Sequence, residues 1–197
     1  ALVACLGALA FVRLAPSAAA HQRGLYVVPG TVTRKGSARA EDILQTGVLL
    51  VDIDAGDIGR IRDHLAAHLG APSLEIASGG RTAAGEPKRH LYWRLTEAAK
   101  GGDLGRVRAL RQIVAGKAET DASFGSLHQP IRVPGSLHGK HGDLSPVRLL
   151  VRNHLEYELD DLIAAAEAMP PLAGTVGPSR APVRAAGATA GDLMLMP

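Results

Sequence analysis

The sequence predicts an α+β domain whose elements run β-α-β-β-α-β, the ferredoxin-like order, with an antiparallel sheet and both helices on one face. Three observations predict it. Short β-rich apolar runs occur at Val48 to Asp54, Leu74 to Ser78, His90 to Leu95 and Val147 to Val151. Between them lie two stretches with apolar residues at helical spacing. Gly, Pro and Asp punctuate the joins. The chain has 197 residues, 46% of them hydrophobic, enough for one domain with a sizeable core. Aromatic residues are only 3%, so that core must rest on Leu, Ile, Val and Ala.

The elements follow in order. Ala1 to Ala20 is apolar and ends in Ser17-Ala18-Ala19-Ala20, like the apolar region and small-residue cleavage site of a secretory signal. No basic region precedes it and Arg13 interrupts it, which favours a buried N-terminal helix. No uninterrupted membrane span is present. Gly24 to Gly30 reads as a short strand ended by Pro29-Gly30, and the polar, basic stretch Thr31 to Ala40 as a loop. Val48 to Asp54 is the first strand of the ferredoxin-like set. Asp57 to Leu69 is a helix, with Ile58, Ile61, Leu65 and Leu69 on one face and Gly70 and Pro72 as its stop. Leu74 to Ser78 and His90 to Leu95 are the next two strands. Asp103 caps a helix carrying Leu104, Val107, Leu110, Ile113 and Val114, ending at Gly116. An irregular insert precedes the strand Val147 to Val151. Leu159 to Met169 is a last helix stopped by Pro170-Pro171. From Gly174 the chain is rich in Gly, Ala, Pro, Thr and Arg without periodicity. The expected organisation is therefore one domain over 1–172 and a flexible tail or linker over 173–197. In this arrangement the sheet face away from the helices stays open.

The formal net charge is +3 and the sequence pI about 9.3, a mild basic bias compatible with nucleic acid. The single Cys5 excludes an intrachain disulfide and a Cys-rich zinc site, and fits a reducing, cytoplasmic setting.

Three stretches join carboxylates to cations. In Val51-Asp52-Ile53-Asp54, strand alternation puts Asp52 and Asp54 on one face, with Leu49, Val51 and Ile53 on the other. Their Cα atoms would lie roughly 6–7 Å apart at the usual strand rise. Two such carboxylates repel unless a cation sits between them, and a pair of Mg²⁺ or Mn²⁺ ions about 3.5–4 Å apart would be bridged well. The competing reading is that Asp54 opens a turn with Gly56 and caps the next helix. In the second stretch, Ser78-Gly79-Gly80 closes one strand, and its backbone can approach a phosphate because glycine lacks a Cβ. His90, Tyr92 and Arg94 share a face of the next strand, which places His90 on the open side. The alternative is a hairpin with an exposed histidine. In the third, Asp121 follows a helix and offers a third carboxylate. Arg132, His138, Lys140 and His141 surround the turn at Pro134-Gly135, either as a phosphate cluster or as a solvated basic loop. Together the stretches point to nucleotidyl transfer.

These residues carry a resemblance to the archaeo-eukaryotic primase superfamily, most closely to plasmid and phage replication primases of the RepB type. The superfamily's Asp-x-Asp resembles Asp52 and Asp54. Its Ser-x-His-like motif is similar to Ser78 through His90, with a long loop between the Ser-Gly-Gly and the His-Leu-Tyr-Trp. Its later Asp corresponds to Asp121, and Ile131-Arg132-Val133-Pro134-Gly135-Ser136 resembles its Arg-x-Pro-Gly segment. The resemblance covers Leu25 to Val151. It implies an RRM-like palm and template-dependent primer synthesis on single-stranded DNA. Asp52, Asp54 and Asp121 would hold two Mg²⁺ or Mn²⁺ ions. Ser78, His90, Arg132, His138 and Lys140 would hold the nucleoside triphosphate. A replicative helicase, on the same or another chain, would be a partner.

Two other readings stand beside it. A histidine-hydrophobe-histidine relaxase or replication initiator needs two His flanking one apolar residue and a nucleophilic Tyr, whereas His90-Leu91-Tyr92 has one His. A non-enzymatic RNA-binding sheet domain needs aromatics on the open face of its central strands, where this chain has Asp.

Overall fold

The computed structural model describes residues 8–34, 36–37, 39–120, 125–140 and 143–172, with backbone alone for residues 8–13, 140 and 143. Asp121, His141 and the segment 173–197 lie outside the described residues. So does the side chain of Lys140.

The β-α-β-β-α-β series is present as β3 (Ile43–Ile53), α2 (Ile58–Leu69), β4 (Leu74–Arg81), β5 (Pro87–Lys100), α3 (Asp103–Ala118) and β9 (Arg148–Arg152), followed by α4 (Leu159–Ala168). Ahead of it come α1 (Ala8–Ala20), β1 (Tyr26–Val27) and β2 (Thr31–Val32). The irregular insert contains β6 (Ile131–Arg132) and a hairpin of β7 (Leu137–Lys140) and β8 (Asp143–Pro146). Among the described residues, no helix is long and apolar enough to cross a membrane.

The main sheet has the order β2-β3-β5-β4-β9, and every neighbouring pair is antiparallel. The last strand thus departs from the split βαβ arrangement, in which it would lie beside the first. The stretch expected to be a loop after Gly30 supplies β2, which takes that outer edge of β3. The final strand β9 joins the opposite edge, on β4.

Alternation sorts the sheet residues between two cores. Leu49, Val51, Ile53, Leu91, Trp93 and Leu95 meet Ile58, Ile61 and Leu65 of α2, Val107, Leu110 and Val114 of α3, and Leu162 of α4. Asp57 caps α2, its carboxylate accepting from the Arg60 N–H at 2.8 Å, and Glu86 accepts from the Ile58 N–H at 3.0 Å. The capping role open to Asp54 is therefore filled by other residues. Helix α3 runs past Gly116 to Ala118 and closes on Glu119 in the left-handed region, φ 55°.

The opposite sheet face is not wholly open, as the sequence suggests. Leu50, Ile76 and Tyr92 are buried beneath Ile131 and Val147, with Val27 packed alongside. The short pair β1–β6 lies over the middle of this face because its apolar residues need the same cover as any core side chain. What stays accessible is the end of the face where Asp52 and His90 sit.

Trp93 anchors the helix side. It is fully buried, and its indole N–H donates to the Gly70 carbonyl at 2.9 Å, which ties the centre of the sheet to the end of α2. Trp93→Phe should cost roughly 1–3 kcal/mol through the lost volume and the orphaned carbonyl. Denaturant unfolding checks this. A midpoint unchanged from wild type would show that Trp93 does not anchor this join.

Candidate active site

Asp52 follows the buried run Leu49 to Val51 of β3 and pairs across the ladder with His90 of β5, which pairs in turn with Ile76 of β4. The His90 Nε2 lies 3.5 Å from the Asp52 carboxylate. His90 is 4% exposed, so it is not the surface histidine of a plain hairpin. Burial first, and then the charge of Arg132, push its pKa down to about 4. The imidazole is therefore neutral near pH 7, with Nδ1 buried and without a hydrogen-bond partner among the described residues.

Around this pair opens a cavity of about 520 Å³. It brings together Asp52, Asp54, Ser78, His90, Arg132 and His138, which the sequence placed in three separate stretches. Asp54 lies just past the end of β3, and its carboxylate is 3.5 Å from the Lys88 ammonium. Ser78, Gly79 and Gly80 do not end a strand. They continue β4 to Arg81, so the glycine wall of the cavity belongs to a sheet. Gly79 has φ +82°, and an added Cβ would lie 2.6 Å from the His138 Cβ and 3.1 Å from the Ser145 carbonyl oxygen. The missing side chain is what lets the β7–β8 hairpin lie against β4 and bring His138 to the cavity. Arg132 enters from β6. Its guanidinium lies over the Tyr26 ring at 5.2 Å, and Tyr26 and Arg132 are cross-strand partners in β1 and β6.

Three further lining residues were not read from the sequence: Arg81, Lys88 and Ser145. Lys88 could have been found, since it precedes His90 by two positions and so shares its face. Arg81 follows the glycine pair directly. Ser145 reaches the cavity only through hairpin pairing, for which the local sequence has no pattern.

Among the described residues, no group of three or more His, Cys, Asp or Glu is placed to hold a metal ion. Two carboxylates at one strand end, both lining a polar cavity, nevertheless suit Mg²⁺ or Mn²⁺. Such ions are commonly held by one or two carboxylates together with substrate phosphates. Tyr92 is 7% exposed, and burial raises the pKa of its hydroxyl, so it is accessible neither as a nucleophile nor as a base-stacking surface.

No protein-family model matches the chain, and no curated protein matches it in sequence. Solved structures do match in fold. The AEP domain of the cyanophage S-2L primase-polymerase aligns with a TM-score of 0.60 and 16% identity, over 82% of this chain and 77% of that one. The catalytic domain of primase RepB′, in complex with initiator DNA, aligns with a TM-score of 0.54 and 17% identity, over 81% of this chain and 72% of that one. The chain has an archaeo-eukaryotic primase-type fold.

Proposed function

We propose that this chain is a nucleotidyltransferase, a DNA-directed primase-polymerase that builds primers on single-stranded DNA in plasmid or phage replication. One observation carries the reading: the fold gathers two carboxylates, a neutral buried histidine and several cations into a single cavity. The primase-type fold supports it, as does the fact that the RepB′ domain of like fold is known in complex with initiator DNA.

In this reading Asp52 and Asp54 hold the divalent cations, with Asp121 as a proposed third ligand. Bound there, Mg²⁺ or Mn²⁺ would lower the pKa of an attacking 3′-hydroxyl and neutralise the leaving pyrophosphate. Arg132 offers a planar, permanently charged fork for phosphate oxygens, and its stacking on Tyr26 limits the ordering needed on binding. His138, Lys140 and Lys88 add donors, and Ser78 helps place the triphosphate. Lys88 exchanges its contact with Asp54 for one with phosphate. His90, uncharged and walled in, offers one N–H without adding charge. A replicative helicase is the partner such a domain would need to supply single-stranded template.

The test is primer synthesis on single-stranded DNA with nucleoside triphosphates and Mg²⁺ or Mn²⁺. Chain products from wild type, together with triphosphate affinity weakened at least several-fold in His90→Ala, are the expected result. Strand nicking without incorporation, or DNA binding without either, would overturn the reading.

A further inference from the structure

A second groove lies on the helix side of the sheet. Ala77 of β4 pairs with Arg89 of β5 on one side and with Arg148 of β9 on the other. These three positions form a row, and the two arginine Cα atoms are roughly 9–10 Å apart at the usual inter-strand spacing. Together with Arg81, Arg89 and Arg148 line a cavity of about 340 Å³ that has no carboxylate among its described lining residues. Its wall at Gly79, Gly80 and Arg81 is also a wall of the candidate active site.

The charge is built in from beneath. Glu75 is 2% exposed and is bound by both Arg89 and Arg62, the latter at 3.2 Å. That buried carboxylate fixes the Arg89 guanidinium at the groove floor and offsets part of its charge. Among the described residues Arg81 donates to a neutral acceptor, the Gly85 carbonyl at 2.7 Å, and makes no ion pair. Arg148 is exposed and makes no ion pair among the described residues. Two uncompensated guanidiniums thus sit at the rim over a third held in place. Pro87, Pro146 and Leu150 supply apolar surface between them.

We propose that this groove binds the sugar–phosphate backbone of a single-stranded nucleic acid at the edge of the candidate active site. The held guanidinium of Arg89 and the two rim guanidiniums of Arg81 and Arg148 meet successive phosphates, and the prolines and Leu150 meet the sugars. The groove admits one strand without reading its bases. The proposal rests on the nucleotidyl-transfer reading only for where that strand leads.

The experiment measures binding of a labelled oligothymidylate to the whole chain across a salt series. Arg148 lies outside the catalytic cavity, so Arg148→Ala and Arg148→Glu are the informative variants. Arg148→Ala should weaken binding several-fold and reduce the slope of log affinity against log salt by about 0.7. Arg148→Glu should weaken it further. Triphosphate affinity should stay at the wild-type value in both. Failure of wild type to bind the oligonucleotide would overturn the proposal, as would wild-type affinity and slope in both variants. An acidic polyglutamate peptide competing as well as the oligonucleotide would overturn it in favour of a protein partner. If the Arg148 variants lose oligonucleotide binding while wild type adds no nucleotide, the groove stands and the nucleotidyl-transfer reading falls.

Discussion

Asp52→Asn is expected to reduce nucleotide addition by roughly 10³-fold or more, equivalent to about 4 kcal/mol of lost transition-state stabilisation. The side chain keeps its shape and loses its charge. The fold should survive, because the pairing of Asp52 with His90 across β3 and β5 is a backbone matter and the apolar residues on either side, Val51 and Ile53, are untouched. Removing a carboxylate beside Asp54 also relieves like-charge repulsion, so the metal-free variant should melt within a few degrees of wild type. Single-turnover nucleotide incorporation and thermal unfolding, measured on the same preparation, give both readouts. Near-wild-type incorporation would remove Asp52 from the reaction. Lost incorporation with a collapsed melting temperature would make it a structural residue.

Gly79→Ala should have the largest effect on stability of any single methyl added to the cavity wall. At φ +82° an L side chain costs roughly 1–2 kcal/mol from backbone sterics alone. The 2.6 Å approach to the His138 Cβ adds overlap that only movement of the hairpin can relieve. A total of roughly 3 kcal/mol is expected, lowering the melting temperature by on the order of 10 °C. Triphosphate affinity should fall with it, since His138 moves away with the hairpin. Gly80→Ala is the matched control. Its Cβ meets the Lys88 Cδ at 3.1 Å, the middle of a flexible side chain, and its φ is not in the left-handed region. It should cost under about 1 kcal/mol. Equal losses in the two variants would show that the wall is merely crowded, with no special demand at Gly79.

Much of this was legible in the sequence because strand alternation is local. Asp52, His90 and the buried set Leu91, Trp93 and Leu95 follow from counting by twos. The helix α2 follows from Ile58, Ile61, Leu65 and Leu69. Strand pairing is not local, and there the reading ran out. The two-residue strands β2 and β6 are too short to show a period, yet β2 occupies the outer edge of β3, and β6, paired with β1 inside the stretch read as a strand at Gly24 to Gly30, covers part of the far face. Arg89 and Arg148 are separated by 59 positions and meet only through Ala77. Gly79 and Gly80 looked like the end of a strand because glycine weakens strands in general. Here the close approach of β7–β8 requires that gap inside the strand. Asp54 had a rival role as a helix cap, which only the contacts of Asp57 and Glu86 removed.

The loop between Ser78 and His90 bears on how such a domain can vary in length. Beyond Ile76 and His90, β4 and β5 run on as a hairpin whose tip, Thr82 to Glu86, stands clear of the ladder that seats His90. The position of His90 is set by its pairing with Asp52 and Ile76, not by its distance along the chain from Ser78. Residues added at the tip in matched pairs lengthen the ribbon and leave His90 where it is. A residue added in the arms beyond Ala77 and Arg89 is taken up toward the tip, where the register already shifts between Ala77 and Arg81, and His90 keeps its partners Asp52 and Ile76. The site therefore feels the ladder that seats His90 and not the length of the ribbon beyond it.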